Sequence, residues 1–373
     1  MKTFIKNMLI RFFFLRKGKG KTKKALLSFI FHPYLMKKKT HPNKIELLSI
    51  VTILNNLGYT VTIVDYRRKK IFGKYDLVIG FGDCYEYAIS KDIGEKYILY
   101  STGSPPYYQN QNSILALRRF TKANPHMLLK CPEKYIRLTE NIWNKQLISS
   151  ECIITIGNDY IKKLFESFHN NVLNIPSTCF DTKNNNQIEL NEGHHKNSFL
   201  WFGGKGSIHK GLDICIDAVI NTKHTLYIAG DLDNEISIYK EKINNNKNII
   251  YIGFIDIFSD HLKLLSKKIS FCILPSCSEA MATSVVTLAY NFGFIPLISK
   301  ECGFDLNDPI IPINELSVFD VKKAMEYASN LSLNEIIIKR KKIITDFREN
   351  HSTDIFFNKL NYCIKKAING NYI

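Results

Sequence analysis

The chain alternates short apolar segments with longer segments whose apolar residues recur every three or four positions. Apolar segments without polar alternation are typical of strands in a parallel sheet that is covered on both faces. The first half contains such predicted strands at 25–31, 61–66, 75–82, 97–103, 152–157 and 172–176. Helical spacing is found at 44–59, 113–123, 134–150 and 161–168. The pattern therefore predicts an α/β fold with a doubly wound sheet.

A second alternation of strands and helices begins at Phe199 and continues to about Asn314. Residues 181–197, between the two alternations, lose all periodicity and are rich in asparagine and charge, which is typical of a linker or a long loop. The sequence thus predicts two Rossmann-like parallel-sheet domains that face each other across a cleft at the carboxyl ends of their strands. The predicted segments are a basic amphipathic tail (1–24), an N-terminal domain (25–180), a linker (181–197), a C-terminal domain (198–345) and C-terminal helices (346–373), which can pack back on the N-terminal domain.

The tail carries nine positive charges and no acidic residue, out of a net charge of +17 for the chain. Its cations alternate with aromatic and aliphatic side chains, a mixture suited to an anionic membrane surface. We expect residues 1–24 to bind the inner face of the plasma membrane peripherally. A solvated basic tail and a signal-like start are the alternatives, although KGKGKTKK after the apolar stretch would hinder translocation. Nucleic-acid binding is not expected, because the basic excess is concentrated in the tail and no recognition motif accompanies it.

The nine cysteines are odd in number, scattered along the chain and without any C-x-x-C pair. This distribution is typical of buried, reduced thiols in a cytoplasmic protein and argues against a disulfide framework or a zinc site. No stretch approaches the ~20 apolar residues that are needed to span a bilayer.

Two loops at predicted strand ends carry side chains suited to a phosphorylated, hydroxyl-rich ligand. The loop GGKGSIHKG contains Lys205 and Lys210, and its glycine amides and ammonium groups suit phosphate. The loop PSCSEAMATSVV contains Glu279, whose carboxylate can accept hydrogen bonds from hydroxyls. Neither loop matches a Walker A motif or a dinucleotide fingerprint. A lysine before a helix can also be a solvated cation, and an acid there can merely complement a helix dipole, but together the loops predict a nucleotide-sugar site.

Several short segments within residues 199–303 follow the order seen in a known family. They are His209-Lys210-Gly211-Leu212-Asp213, Ile228-Ala229-Gly230, Tyr251-Ile252-Gly253-Phe254-Ile255, Pro275-Ser276 with Glu279, Thr283-Ser284-Val285, and Gly293. In these segments the chain resembles the retaining nucleotide-sugar glycosyltransferases of the two-Rossmann-domain GT-B fold, in particular glycosyltransferase family 4. Many bacterial lipopolysaccharide and capsule sugar transferases belong to that family. The first half is similar more loosely, through Tyr75-Asp76, Thr102-Gly103 and Ile156-Gly157-Asn158.

The resemblance implies roles for residues at the matching positions. Lys210 would bind the donor diphosphate and Glu279 the hydroxyls of the donor sugar, both as catalytic residues. The implied donor site consists of Gly204, Lys205, Lys210, Glu279, Thr283, Ser284, Val285 and Thr287, with the amides of Thr283 to Val285 directed to the phosphates. Two positions depart from the family. Lys205 stands where an arginine is common, and Thr287 stands where a second glutamate usually binds the ribose.

On the acceptor side, His41 lies between the first predicted strand and its helix, where a catalytic histidine could position an acceptor hydroxyl. A loop histidine can equally be polar surface. Thr102, Gly103 and Asn158 are weaker candidates at the ends of other strands. The Asp231-Leu232-Asp233 segment has the form of a D-x-D metal motif, but the resemblance assigns no metal there, so we expect a solvated turn, no metal and no cofactor.

These observations predict a metal-independent, retaining glycosyltransferase. It would move a sugar from a nucleotide-diphosphate donor to a cell-surface glycan acceptor, which is expected to be lipid-linked. The alternative is a catalytically weakened relative that binds sugar nucleotides or scaffolds a glycan-biosynthesis complex, as Lys205 and Thr287 suggest. A nicotinamide-dependent oxidoreductase would need a dinucleotide fingerprint that neither half contains.

Overall fold

The structure is a computed structural model of the 373-residue chain. It describes residues 14–18, 22–31, 42–130, 132–139, 143–183, 196–232 and 235–370. In chain order the strands are β1 (Phe14–Lys17), β2 (Lys23–Phe29), β3 (Tyr59–Asp65), β4 (Leu77–Gly80), β5 (Tyr97–Ser101), β6 (Cys152–Ile156), β7 (Val172–Ile175), β8 (Ser198–Phe202), β9 (Thr225–Ala229), β10 (Ile249–Gly253), β11 (Phe271–Leu274), β12 (Ile295–Ile298) and β13 (Ile311–Pro312). The α-helices are α1 (Pro42–Asn56), α2 (Asp83–Ser90), α3 (Pro106–Ala123), α4 (Asn144–Ile148), α5 (Asp159–Glu166), α6 (Leu212–Val219), α7 (Lys240–Asn245), α8 (Asp260–Lys268), α9 (Thr283–Phe292), α10 (Val318–Asn330), α11 (Leu333–His351) and α12 (Thr353–Asn369).

The chain divides into two compact units, each built on its own sheet. The first unit comprises Met1–Gly103, Asn141–Thr178 and Thr353–Ile373, and the second comprises Ser104–Glu140 and Cys179–Ser352. Both sheets are parallel apart from one edge strand and have helices packed against them. The prediction of an α/β protein with two Rossmann-like parallel sheets is therefore confirmed.

The units differ from the predicted domains at two places. Residues 104–140, which the sequence pattern assigned to the N-terminal domain, belong to the second unit. The reason is hydrophobic burial, since Ala116 and Phe120 of α3, and Ile136 beyond it, lie in the core of the second unit. The other difference is at the C-terminus, where α11 stays in the second unit through Ser352 and only α12 joins the first unit, packing on α1.

The first sheet has seven strands in the order β1-β3-β2-β4-β5-β6-β7. All neighbours are parallel except β1, which pairs antiparallel with β3. Every residue of β4, β5 and β6 is buried, as expected for strands that are covered on both faces.

Strand β1 corrects the predicted extent of the membrane tail. Phe14–Lys17 pairs with Val61–Val64 of β3, and Lys23 and Lys24 begin β2, so these residues belong to the sheet and not to a tail that ends at residue 24. Pairing with β1 satisfies backbone groups that β3 would otherwise leave at an open edge. Residues 1–13 and 19–21 of the predicted tail lie outside the described residues.

The second sheet has six strands in the order β10-β9-β8-β11-β12-β13, all parallel. Strand β8 lies between β9 and β11 near the middle of the sheet. Its Phe199 and Trp201, together with Phe271 of β11, are fully buried in the hydrophobic core. The loops after β8 and β11 therefore emerge side by side near the middle of the sheet.

The helix predicted for residues 134–150 is wrong. The structure has a single 3₁₀ turn at Pro132–Tyr135, a non-helical segment at 137–139 and the short helix α4. Side chains of α3 take up the backbone groups that a helix would have used: Asn110 binds both the N–H of Thr139 (2.8 Å) and its carbonyl oxygen (2.9 Å). Local helical spacing is overridden because the tertiary partner offers the backbone a better set of hydrogen bonds.

All eight cysteines within the described ranges are free and buried, as predicted from their scatter along the sequence. Over the same ranges, no helix combines the length and the apolar character that crossing a bilayer requires.

The first unit contains one carboxyl group that makes its stability depend on pH. Glu46 of α1 is buried and accepts a hydrogen bond from the Tyr100 hydroxyl at 3.0 Å. Burial raises the pKa of Glu46 from 4.5 to about 7, although the bond from Tyr100 opposes the shift. Between these two values the folded protein holds a proton that the unfolded chain releases, so the free energy of unfolding falls as the pH rises.

We expect Glu46→Gln to stabilise the protein at pH 8 by roughly 3 kcal/mol and to leave it nearly unchanged at pH 4.5, since the pKa rises from 4.5 to about 7 and each pKa unit is worth about 1.4 kcal/mol. Urea unfolding at the two pH values measures the difference. The exposed Glu95→Gln is the matched control, in the same unit and with the same change of charge. An equal shift at both pH values for Glu46→Gln would contradict the assignment.

Candidate functional site

Two loops of the second unit meet at the carboxyl edge of its sheet. One runs from Gly203 to Gly211, between β8 and α6, and the other runs from Pro275 to Ala282, between β11 and α9. Strands β8 and β11 are parallel neighbours, with Phe199 opposite Phe271. The carboxyl ends of parallel neighbours lie at the same edge, which brings Lys210 of the first loop to Glu279 of the second.

The first loop folds back on itself before α6 begins. The amide of Lys210 donates to the carbonyl of Gly206 at 2.9 Å, and the indole of Trp201 donates to the carbonyl of Lys210 at 3.3 Å. Gly211 has a φ of 67°, and a Cβ there would lie only 2.2 Å from the carbonyl oxygen of Pro275. Only glycine therefore lets this loop touch the end of β11.

Glu235, in a 3₁₀ turn after β9, closes the back of the first loop. Its carboxylate accepts from the amide of Gly206 at 2.9 and 3.1 Å and from the amide of Ser207 at 2.7 Å. The Tyr239 hydroxyl adds a bond to the Ser207 hydroxyl at 3.0 Å. These two loop amides are thus occupied, and the expectation that glycine amides of this loop converge on a diphosphate does not hold for Gly206.

The second loop is tied down on both sides. The amide of Cys277 donates to the carbonyl of His209 at 2.9 Å, which joins the two loops. The amide of Glu279 donates to the carbonyl of Glu301 at 2.9 Å, on the opposite side. From α3, Asn112 donates to the carbonyl of Cys277 at 3.0 Å, and the Ser104 hydroxyl donates to the carbonyl of Glu279.

Three charged side chains converge where these loops meet. The ammonium of Lys210 forms an ion pair with Oε1 of Glu279, which also accepts from the Ser276 hydroxyl at 3.1 Å. The guanidinium Nη1 of Arg137 lies 3.7 Å from Oε2 of the same carboxylate. The exposed fraction is 9% for the Lys210 side chain, 13% for Glu279 and 41% for Arg137, so the cluster is sheltered but reaches solvent.

The carboxylate of the cluster keeps its charge at neutral pH. Burial would raise the pKa of Glu279, but the charges of Lys210 and Arg137 outweigh it and hold that pKa at about 2. Burial lowers the pKa of Lys210 from 10.5, and the Glu279 carboxylate opposes the shift. Because two cations surround one carboxylate, the cluster has an excess of positive charge. This charge suits an anionic ligand.

His209, next to Lys210, has a structural role and does not change its protonation state near neutral pH. It is fully buried, and burial is the main cause that lowers its pKa to about 4. Its Nε2 must donate to the carbonyl of Ser278 at 2.5 Å, since a carbonyl can only accept. Its Nδ1 is then an acceptor, and the thiol of Cys277 at 3.4 Å is its donor, since the nearby Ser113 hydroxyl gives its single proton to the carbonyl of Arg137.

The first turn of α9 carries the other predicted donor residues. The amide of Val285 donates to the carbonyl of Ala282 at 3.0 Å, so the expected phosphate-binding amides are reduced to those of Thr283 and Ser284. Thr287 is buried, and its hydroxyl donates to the carbonyl of Thr283 at 2.8 Å. The Thr287 side chain thus makes its hydrogen bond within α9 itself.

The remaining predicted donor-site residues, Gly204 and Lys205, lie in the first loop but outside the cluster of charged side chains. A Cβ at Gly204 would meet nothing within 4 Å, so the loop is open there. The Lys205 side chain is exposed, and its carbonyl accepts from Nη2 of Arg137 at 2.9 Å.

The predicted acceptor residues belong to the first unit. Thr102 and Gly103 follow β5, and Asn158 follows β6, its parallel neighbour, so these residues share one edge of the first sheet. The Asn158 side chain caps α5 by accepting from the amide of Ile161 at 3.3 Å, which gives it a structural role. His41 lies outside the described residues, as does Asp233 of the D-x-D segment, whose Asp231 is exposed.

Sequence reasoning did not identify three residues that build this site. Arg137 stands in a segment with helical spacing, Glu235 follows a strand as one acid among several, and Ser113 is one of many polar residues on a helix. None of them belongs to a recognisable motif. Their roles depend on α3 and the turn after β9 packing beside the two loops.

Comparisons with known proteins bear on the fold. No protein-family model matches the chain, and no curated protein matches its sequence. Among solved structures, sucrose-phosphate synthase from Thermosynechococcus elongatus is similar with a TM-score of 0.61 at 11% identity, covering 93% of this chain and 99% of that chain. Anabaena HepE in complex with UDP and glucose is similar with a TM-score of 0.55 at 12% identity, covering 92% of this chain and all of that one (100%).

A third structure, an S. aureus TarM mutant in complex with fondaparinux, α-GlcNAc-glycerol and UDP, has a TM-score of 0.52 at 10% identity. The match covers 77% of this chain, which spans about half (55%) of the length of that protein. At these identities the similarity concerns the arrangement of the backbone. The chain therefore shares the GT-B fold of these structures.

Proposed function

We propose that the protein is a glycosyltransferase that moves a sugar from a nucleotide-diphosphate donor to a glycan acceptor. The observation that carries the proposal is the cluster of Lys210, Arg137 and Glu279 at the carboxyl edge of the second sheet. It combines two cations for phosphate with a carboxylate for hydroxyls, which is the chemistry of a sugar joined to a diphosphate. The GT-B fold, and the UDP bound by HepE and TarM, support the same substrate class.

In this proposal Lys210 stabilises the charge that develops on the diphosphate as the bond to the sugar breaks. A fixed cation in a sheltered site acts more strongly on developing charge than it would in water. Its backbone is held by the Trp201 indole, which donates to the Lys210 carbonyl, and its ammonium is held by the Glu279 carboxylate, so little reorganisation is needed. Glu279 accepts from hydroxyls of the donor sugar and fixes its orientation.

We further propose that transfer retains the anomeric configuration and needs no metal ion, as the resemblance to family 4 implies. The acceptor oxygen would attack on the face that the diphosphate leaves, and a diphosphate oxygen would take the acceptor proton. The cationic side chains of the cluster would stabilise the leaving diphosphate in the way that a divalent cation does in other enzymes.

We propose a lipid-linked surface glycan, such as a lipopolysaccharide or capsule precursor, as the acceptor. Cytoplasmic location with peripheral membrane association would follow from the basic N-terminus. Because β1 and β2 take residues 14–17 and 23–29 into the sheet, this proposed contact rests on the rest of the tail, which contains Lys2, Lys6, Arg11, Lys19 and Lys21. His41, Thr102, Gly103 and Asn158 remain the proposed acceptor-side residues.

A donor panel tests the proposed function. The purified protein is incubated with UDP-, GDP- and ADP-linked hexoses together with lipid-linked acceptors, and release of the nucleoside diphosphate is measured. We expect release with at least one donor that depends on the acceptor, and the product is analysed by NMR for anomeric configuration. A chelator such as EDTA should leave the rate unchanged.

Thr287 favours a second candidate, a sugar-nucleotide-binding protein with weak or no turnover. Its hydroxyl is bonded within α9, and the position offers no carboxylate to a ribose. Saturable binding of a nucleotide sugar with no release of diphosphate under any acceptor condition would favour this candidate over the enzyme.

A further inference from the structure

Arg137 reaches the site from a segment that sequence reasoning did not connect with it, and its position is fixed by α3. Its backbone carbonyl accepts from the Ser113 hydroxyl at 2.8 Å and from the Gln109 side chain at 3.4 Å. Asn110 binds both backbone groups of Thr139, two residues further on. Three polar side chains of one helix thus hold this non-helical segment in a single position.

The guanidinium of Arg137 lies along the first loop. Its Nη2 donates to the carbonyl of Lys205 at 2.9 Å. Gly206, with a φ of 88°, leaves room for it, since a Cβ there would lie only 3.0 Å from Nε of Arg137. A larger residue at 206 would push the arginine away from the loop.

The charges around Arg137 leave binding capacity for an anion. Its Nη1 lies 3.7 Å from Glu279, a longer approach than a direct hydrogen bond, and Lys210 already pairs with that carboxylate. With 41% of its side chain exposed, Arg137 faces the solvent at the mouth of the site. The neighbouring amides of Gly206 and Ser207 are occupied by Glu235 and are not available to a phosphate, which leaves more of its contacts to the cationic side chains.

We propose that Arg137 binds the diphosphate of the donor together with Lys210. The planar fork of an arginine can present two parallel N–H groups to one phosphate, while the lysine acts as a point charge. The two cations stand on either side of Glu279, which binds the sugar next to the diphosphate. This inference rests on the proposed function. It adds a second phosphate-binding residue, which lies in the segment after α3 and is positioned by that helix.

Calorimetric titration tests the assignment with UDP, GDP and ADP and with the matching monophosphates. For the diphosphate that the wild type binds best, Arg137→Ala should weaken binding about ten- to thirtyfold, because charged hydrogen bonds to phosphate are lost. Monophosphate binding should change several-fold less. The diphosphate affinity of Arg137→Lys should lie between those of the wild type and Arg137→Ala, because lysine keeps the charge but lacks the planar fork of the guanidinium.

Arg118→Ala is the matched control, since this arginine is exposed on α3 in the same unit. Thermal melting checks folding, and Arg137→Gln provides a variant that keeps a donor toward Lys205 if the alanine variant does not fold. An unchanged diphosphate affinity in folded Arg137 variants, or an equal loss for monophosphates, overturns the inference and leaves the proposed function standing. A wild type that binds none of the diphosphates overturns both.

Discussion

Replacing Lys210 by alanine is expected to lower the turnover number by about 10²–10³-fold, the usual effect of removing one preorganised group that stabilises transition-state charge. The Lys210 side chain is 9% exposed, and its backbone position is set by hydrogen bonds of the first loop. Release of nucleoside diphosphate, measured at saturating donor, reports the change. The loss should be larger in kcat than in donor affinity, because the charge on the diphosphate grows during the reaction.

Two variants separate chemistry from folding in this experiment. Lys210→Met keeps most of the side-chain volume and removes only the charge, so it should fold and show the same loss. Lys247→Ala is the control, because this exposed lysine precedes β10 and therefore lies at the amino edge of the same sheet, away from the site. A Lys210→Met enzyme that is folded and fully active would refute the assignment of Lys210.

Replacing Arg340 by alanine is expected to lower the stability of the protein more than any other substitution proposed above. Arg340 is buried in α11 and donates from Nε to the carbonyl of Gly293 at 3.0 Å and from Nη2 to the carbonyl of Phe292 at 2.8 Å. These are the carbonyls at the end of α9, where the helix dipole is negative. Burial lowers the pKa of Arg340 to about 10, so the guanidinium remains charged at neutral pH.

Arg340→Ala should lower the free energy of unfolding by roughly 3–5 kcal/mol, since two charged hydrogen bonds are lost and buried carbonyls are left without a donor. For a unit of this size that corresponds to a fall in Tm of roughly 10 °C, which scanning calorimetry can measure. Arg340→Lys should fall between the wild type and the alanine variant, because lysine lacks the fork. The exposed neighbour Lys341→Ala is the control, and an equally small change in both alanine variants would contradict this account.

The connection between this arginine and the site runs through α9. This helix begins at Thr283, directly after the loop that carries Glu279, and its opposite end is held by Arg340. Loosening α9 should therefore affect donor binding less than stability, and a modest loss of activity below the melting temperature is consistent with both roles.

The sequence predicted the sheets well, because strands that are buried on both faces leave a continuous apolar signal. It also drew attention to Lys210 and Glu279, since both lie in glycine-rich or small-residue loops after a strand, and the structure brings these two side chains together as an ion pair. It failed at residues 134–139, where helical spacing exists but Asn110 of α3 binds the backbone in another conformation. The sequence pattern also did not single out Arg340, which stands in a run of four basic residues (339–342).

The sequence by itself thus determined the α/β class, the order of the strand-forming segments along the chain, and the two loops that carry Lys210 and Glu279. These features follow from local patterns of burial and loop chemistry. Only the tertiary structure decided that α3 belongs to the second unit, that Phe14–Lys17 is a strand, and that Arg137 joins the ion cluster. The physical reason is the same in each case. Residues distant in the chain supply the buried surface, the paired backbone or the opposite charge, and no local pattern records which distant residue will do so.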